Sequence, residues 1–272
     1  MTSQWERLLK NQGTWLGSFT RFNPDGKLIS DIPTTVSLKG VNGGDTMRQT
    51  VRKMPADQPP EEQVYEYNSL GRSVLFFEDG AFSQGSIQWA PFSQFGAESG
   101  FIQGDRRLRL VQLYNRDRAL EHITLIREQQ EGTNAPERSP LTVEQLYGTW
   151  EGEAITIYPD LQPQSAMPTQ LTVKAIGNRQ VQQSITMGDR PPFTSTGTFD
   201  GHCIRFERAQ TLQVTLLPGG ASSNCPVVIQ PRQPFFLEAG WLWERDRRQR
   251  IIRSYNAQGA WTSLTLVSEQ KR

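Results

Sequence analysis

Gly13-Thr14-Trp15-Leu16-Gly17 returns 135 residues later as Gly148-Thr149-Trp150-Glu151-Gly152. The same interval carries Pro33-Thr34 and Lys39 onto Pro168-Thr169 and Lys174. Toward the ends of the two halves, Asp105-Arg106-Arg107-Leu108-Arg109 is echoed by Asp246-Arg247-Arg248-Gln249-Arg250, at an interval of 141. Tyr114-Asn115 then matches Tyr255-Asn256, and Thr124-Leu125 with Glu128-Gln129 matches Thr265-Leu266 with Glu269-Gln270. The six added residues fit most simply in a loop of the second copy, from Pro218-Gly219-Gly220 to Cys225-Pro226. A period this long repeats a whole domain, not a solenoid unit. The 272 residues therefore divide into domains at 1–130 and 141–272, joined by a polar linker, 131–140, that holds Pro136 and Pro140.

Each copy begins with a capping box, Ser3-Gln4-Trp5-Glu6 and Thr142-Val143-Glu144-Gln145, which predicts a short helix ahead of each Gly-Thr-Trp. Beyond the helices the pattern is strand after strand. Leu171, Val173 and Ala175 alternate with Thr172 and Lys174, and Thr211 to Leu216 alternates with period two. Asn23-Pro24-Asp25-Gly26, Asn42-Gly43-Gly44, Asp79-Gly80 and Asp200-Gly201 supply turns. Eight or so short strands per half point to an all-β chain of two antiparallel up-and-down barrels, because an open sheet leaves long edges unpaired.

Net charge is +1, with 29 basic and 28 acidic residues, so no global field draws the chain to nucleic acid. No run approaches the roughly 18 apolar residues that span a bilayer, and the amino terminus has no secretory pattern. A cytoplasmic location is expected. Cys203 and Cys225 have no counterparts in the first copy and suit free thiols in a reducing compartment. His122 and His202 lack repeat partners, Ser263 standing where His122 would recur, and no Cys, His or acidic cluster has the spacing of metal ligands.

A short helix, Gly-x-Trp on the first strand, and a meander ending in an arginine-bearing strand resemble the lipocalin and wider calycin barrels. The resemblance implies that Trp15 and Trp150 close the barrel floors. It also implies that one arginine of Arg106, Arg107 and Arg109, and one of Arg247, Arg248 and Arg250, lies across each indole. More narrowly, the chain resembles an uncharacterised family of tandem calycin barrels from oxygenic phototrophs, related in fold to the phycobiliprotein lyases. Those lyases hold an open-chain tetrapyrrole and deliver it to a cysteine of an antenna protein. Glu244-Arg245-Asp246-Arg247-Arg248-Gln249-Arg250 is similar in character to their late Glu-Arg-rich strand, without its Trp-Phe and Pro-Asn elements. A bound bilin, and a phycobiliprotein subunit as partner, follow from the resemblance alone.

Arg107 and Arg109 project to one strand face with Val111 and Leu113, as do Arg248 and Arg250 with Ile252. Two guanidinium groups on an apolar face suit a pocket that grips a carboxylate; the alternative is a structural stack on the floor tryptophan. The opposite face carries Arg253 and Tyr255 in the second copy and Gln112 and Tyr114 in the first. Arg-x-Tyr on a late strand resembles the carboxylate clasp of fatty-acid-binding barrels. Which face turns inward is open at this stage. Aromatic residues gather just upstream, with Trp89 in the first half and Trp241 and Trp243 in the second as pocket candidates, though barrel cores use aromatics too.

The leading expectation is a carrier for a small hydrophobic ligand with an acidic group, either a bilin or a fatty or isoprenoid acid, and no cofactor beyond such a ligand. A lyase, cyclase or isomerase using Glu78 or Glu207 is the enzymatic alternative. A protein-interaction scaffold with filled barrels is the third.

Overall fold

The computed structural model describes residues 2–162 and 165–272. The first copy opens with α1 (Gln4–Leu9), where the Ser3 hydroxyl accepts from the Glu6 N–H at 3.2 Å and the Glu6 carboxylate accepts from the Ser3 N–H at 2.6 Å. Nine strands follow: β1 (Gly13–Phe22), β2 (Leu28–Val41), β3 (Thr46–Lys53), β4 (Glu61–Tyr67), β5 (Val74–Phe76), β6 (Phe82–Gly85), β7 (Phe95–Gln103), β8 (Arg106–Tyr114) and β9 (Leu120–Gln130). The second copy repeats the capping box around α2 (Val143–Leu146). Its ten strands are β10 (Gly148–Ile157), β11 (Ser165–Gly177), β12 (Gln180–Met187), β13 (Phe193–Asp200), β14 (Cys203–Phe206), β15 (Leu212–Leu216), β16 (Ala221–Pro226), β17 (Phe235–Leu242), β18 (Arg247–Tyr255) and β19 (Trp261–Lys271).

Both sheets run up and down, but they end differently. Strands β10 to β19 form a closed barrel, with β10 pairing both β11 and β19. Strands β1 to β9 form a curled sheet in the order β4-β3-β2-β1-β9-β8-β7-β6-β5, in which β4 and β5 are edges. One strand makes the difference. Tyr67, opposite Met47, corresponds to Gly197, opposite Val181, and Val74, opposite Gln84, corresponds to Val214, opposite Asn224. Tyr67 and Val74 are seven positions apart, Gly197 and Val214 seventeen, and the longer stretch contains β14. The main insertion of the second copy therefore lies between β13 and β15, correcting the expectation that placed it between Pro218 and Pro226. Helix α1 compensates in the first copy. The Gln4 side chain donates to the Phe76 carbonyl at 3.0 Å and accepts from the Phe76 N–H at 2.7 Å, so a helix blunts the β5 edge. Strand β4 stays exposed and carries Glu61, Glu62 and Glu66, charges that discourage edge pairing.

The repeated pentapeptide builds each floor. Gly13 and Gly148 take φ of +134° and +122°, a region that disfavours side chains. The indole N–H of Trp15 donates to the Asn11 carbonyl at 3.0 Å, in the turn after α1, and that of Trp150 to the Leu146 carbonyl of α2 at 2.9 Å. At Gly17 and Gly152 the last strand comes so close that a Cβ would lie 2.0 Å from the Arg127 carbonyl oxygen and 1.9 Å from that of Ser268. Gly152→Ala must therefore push β19 off β10. It is expected to cost about 3 kcal/mol, read as a lower urea midpoint with an unchanged slope.

The two units share a core. Phe77, Phe95, Tyr114, Phe235, Trp241 and Tyr255 belong to one buried cluster that crosses from one sheet to the other. Backbone bonds stitch the same seam: Leu120 N–H to the Val227 carbonyl at 2.9 Å and Trp261 N–H to the Ile87 carbonyl at 2.9 Å. Cys203 and Cys225 are buried and free, and burial pushes the Cys225 thiol up to about 11, so it stays protonated and unreactive. Among the described residues no helix is long and apolar enough to cross a membrane.

Candidate functional site

Alternation along β8 and β18 directs Arg107, Arg109, Arg248 and Arg250 toward the concave side of each unit, and each pair meets glutamates there. Arg248 Nε and Nη2 donate to Glu269 Oε2 at 2.9 and 2.6 Å. Arg250 Nη2 donates to Glu269 Oε1 at 2.7 Å, and its Nη1 reaches Glu238 Oε1 at 3.4 Å. The first copy repeats the quartet. Arg107 donates twice to Glu128 at 2.7 and 2.9 Å, while Arg109 reaches Glu128 at 3.0 Å and Glu98 at 2.8 Å. Burial alone would push the Glu128 and Glu269 carboxyls up, but two guanidinium groups on each overcome it and hold both at about 2. The lower arginine of each pair also stacks on the floor: Arg107 lies 4.7 Å from the Trp15 ring centroid and Arg248 4.5 Å from that of Trp150.

The arginines are thus paired, and each quartet of two cations and two anions is neutral. A cationic interior was the reason to expect an acidic ligand, and the structure removes that reason. Both glutamate pairs escaped the sequence reading of the site, although Glu128 and Glu269 stand in the repeat itself, each 21 residues after its floor arginine. Their persistence in both copies was the available signal.

The two interiors differ. The second barrel encloses a cavity of about 410 Å³, mostly apolar, lined by Leu171, Val181, Ile204 and Val214 and by Glu238, Arg248 and Arg250 of the quartet. At its solvent end the Arg208 guanidinium lies 4.0 Å from the centre of the Phe193 ring. In the first unit, Leu8 of α1 joins Val36, Phe76 and Phe82, and only about 60 Å³ is left beside Arg107 and Arg109. A second recess of about 270 Å³ lies on the same concave side, beyond Arg109, between Phe19, Arg21 and Lys53.

The remaining candidates lie elsewhere. Trp89, Tyr114, Trp241, Trp243, Arg253 and Tyr255 do not line the barrel cavity. Tyr114 donates its hydroxyl to the Pro226 carbonyl at 2.6 Å, and Tyr255 donates to the Ser86 carbonyl at 2.8 Å, each reaching across the seam. Arg253 stacks on Trp261 at 3.6 Å and donates to the Tyr255 hydroxyl at 2.8 Å, so the Arg-x-Tyr pair faces outward and clasps backbone of the other unit. Trp89 meets Phe235 edge-on at 6.2 Å. Trp241 donates to the Gly219 carbonyl at 3.1 Å, and with Trp243 it lines a 240 Å³ cleft beneath Ala135–Arg138. The physical reason is common to all six. The convex face of β7 and β8 packs on that of β17 and β18, so residues directed outward along these strands are buried at the seam. Glu78 pairs with Arg7 at 3.3 Å and Glu207 accepts from the Thr211 hydroxyl at 2.9 Å; both are exposed and outside the cavity.

Fold and site together define a duplicated all-β protein in which one copy is a closed, hollow barrel and the other a filled, curled sheet. Residues 1–133 match the family described as domain of unknown function (DUF3598), N-terminal, and residues 137–272 match the biogenesis factor required for ATP synthase 1, C-terminal domain. A crystal structure of a DUF3598 protein of unknown function from Nostoc punctiforme PCC 73102 is 44% identical, with 100% of both chains covered and a TM-score of 0.95. The chain belongs to the DUF3598 family. An S-type phycobiliprotein lyase from Guillardia theta aligns with 47% of this chain and 89% of its own, at 10% identity and a TM-score of 0.38. A search of curated proteins found no match.

Proposed function

We propose that the chain is a binding protein whose second barrel holds a small hydrophobic ligand. The observation that carries this reading is the 410 Å³ cavity inside a closed barrel, where the open first sheet leaves about 60 Å³ beside its arginine pair and a separate recess of about 270 Å³ beyond Arg109. The larger volume equals roughly 14 waters at ~30 Å³ each and falls within the usual range for small-molecule sites. A fatty or isoprenoid chain fits it. An open-chain tetrapyrrole, with four rings, would extend out past Phe193 and Arg208. Glu78 and Glu207 lie away from the cavity, which favours binding over turnover. Titration with the neutral fluorophore N-phenyl-1-naphthylamine is expected to give a saturable emission gain, and Val214→Trp, which fills the space, to weaken it at least tenfold while leaving the fold intact. No saturable gain with the natural sequence would overturn the proposal.

The match of residues 137–272 to a domain named for ATP synthase biogenesis favours a second reading, an assembly role exercised through the outer surface. It expects cells lacking the protein to hold less assembled ATP synthase, and Val214→Trp to restore the level. The ligand reading expects that variant to fail in cells.

A further inference from the structure

We infer that the first unit has a ligand site of its own, separate from the barrel cavity proposed above: the recess beyond Arg109 takes a small amphiphile with an anionic head, held by Arg21 and Lys53, and an apolar tail laid on Phe19. Cross-strand register builds the recess. On β1, Arg21 stands between Ser30 of β2 and Thr124 of β9, and one row nearer the floor Phe19 stands between Ile32 and Ile126. Lys53 joins from β3, where it is opposite Thr34. The space they enclose is about 270 Å³, roughly nine waters at ~30 Å³ each, enough for a short chain. Phe19 and Ile32 are only half-buried there, so apolar surface is left open inside the recess.

The charges of this recess do not cancel. Arg109 and Glu98 pair with each other at 2.8 Å, which leaves Arg21 and Lys53. Among the described residues neither of these side chains has a carboxylate partner or a hydrogen bond, and the Lys53 ammonium lies 6.0 Å from the centre of the Phe19 ring. Two cations on one concave, partly apolar surface concentrate a positive potential that favours an anion. The repeat shows that the fold does not need them. Arg21 recurs as Thr156, whose hydroxyl lies 2.8 Å from that of Thr265, and Lys53 recurs as Met187, opposite Thr169 as Lys53 is opposite Thr34. The copy with the closed barrel is thus neutral at both positions, and the open one is cationic at both.

Octanoate, octyl phosphate and octan-1-ol share one tail and differ in the head. Calorimetric titration at low salt separates them, in the Val214→Trp protein, whose second cavity is filled, and in the natural sequence saturated with N-phenyl-1-naphthylamine. At least one anion is expected to bind about tenfold tighter than the alcohol, and the anion that does so identifies the head as carboxylate or phosphate. Arg21→Thr and Lys53→Met install the residues of the second copy; each should weaken that anion about threefold, and together they should erase its advantage while the alcohol and the urea midpoint stay unmoved. Both anions binding no tighter than the alcohol, or an advantage that survives the double substitution, overturns the inference.

Discussion

Glu269→Ala is expected to lower the stability of the protein by about 3–5 kcal/mol, because it strips the shared carboxylate from two guanidinium groups that stay buried. The loss is not the worth of the ion pair itself, since Arg248 is left without a carboxylate and Arg250 keeps only Glu238 at 3.4 Å. Glu238→Ala should cost less, its carboxylate being held by two long contacts, from Arg250 at 3.4 Å and Asn224 at 3.3 Å. The Glu269 carboxyl makes stability depend on pH. It is held at about 2 in the folded state and titrates near its ordinary 4.5 when unfolded, so its stabilisation is complete above about pH 5 and is lost as the pH falls toward 2. Glu128 behaves alike in the first unit, and each contributes about 3 kcal/mol to the difference. Urea unfolding at pH 7 and pH 3 should show a steep loss for the natural sequence and a shallower one for Glu269→Gln. An equal pH dependence in both would mean that the quartet does not form.

The repeat made most of this architecture legible before any coordinates. Gly-Thr-Trp-x-Gly announced two floors, and period-two alternation gave strands and put Arg107 with Arg109, and Arg248 with Arg250, on shared faces. What alternation does not reveal is which face lies inside when both are covered. Strand β18 is buried along almost its whole length, with Arg248 and Arg250 toward the barrel and Arg253 and Tyr255 toward the seam. The aromatic wealth of Trp89, Phe95, Phe235 and Trp241 therefore suggested a pocket, whereas it builds the contact between units. The missing strand was hidden for another reason. Positional identity fades between β4 and β5, and β14 is four residues long, too short for its own periodic signature. Which barrel is hollow follows from that strand together with Leu8 of α1. Neither is visible as a motif.

The seam leads to the second large effect. Phe95 belongs to the first unit, yet its ring centre lies 5.0 Å from that of Tyr255 and 5.6 Å from that of Phe235, both in the second. Beside them Arg253, with no carboxylate partner, turns its guanidinium to the Gly85 and Ser86 carbonyls of the first unit. Parting the two sheets would strand that cation and uncover the rings together, so each unit holds part of the other's core. Phe95→Ala is accordingly expected to cost about 3–5 kcal/mol and to lower the melting of both units in one calorimetric transition. Two separated peaks, with the second barrel unshifted, would show that the units fold independently and that the seam is only a docked contact. A single shifted peak would mean that the hollow barrel keeps its shape, and with it the cavity, only while the filled sheet stands behind it.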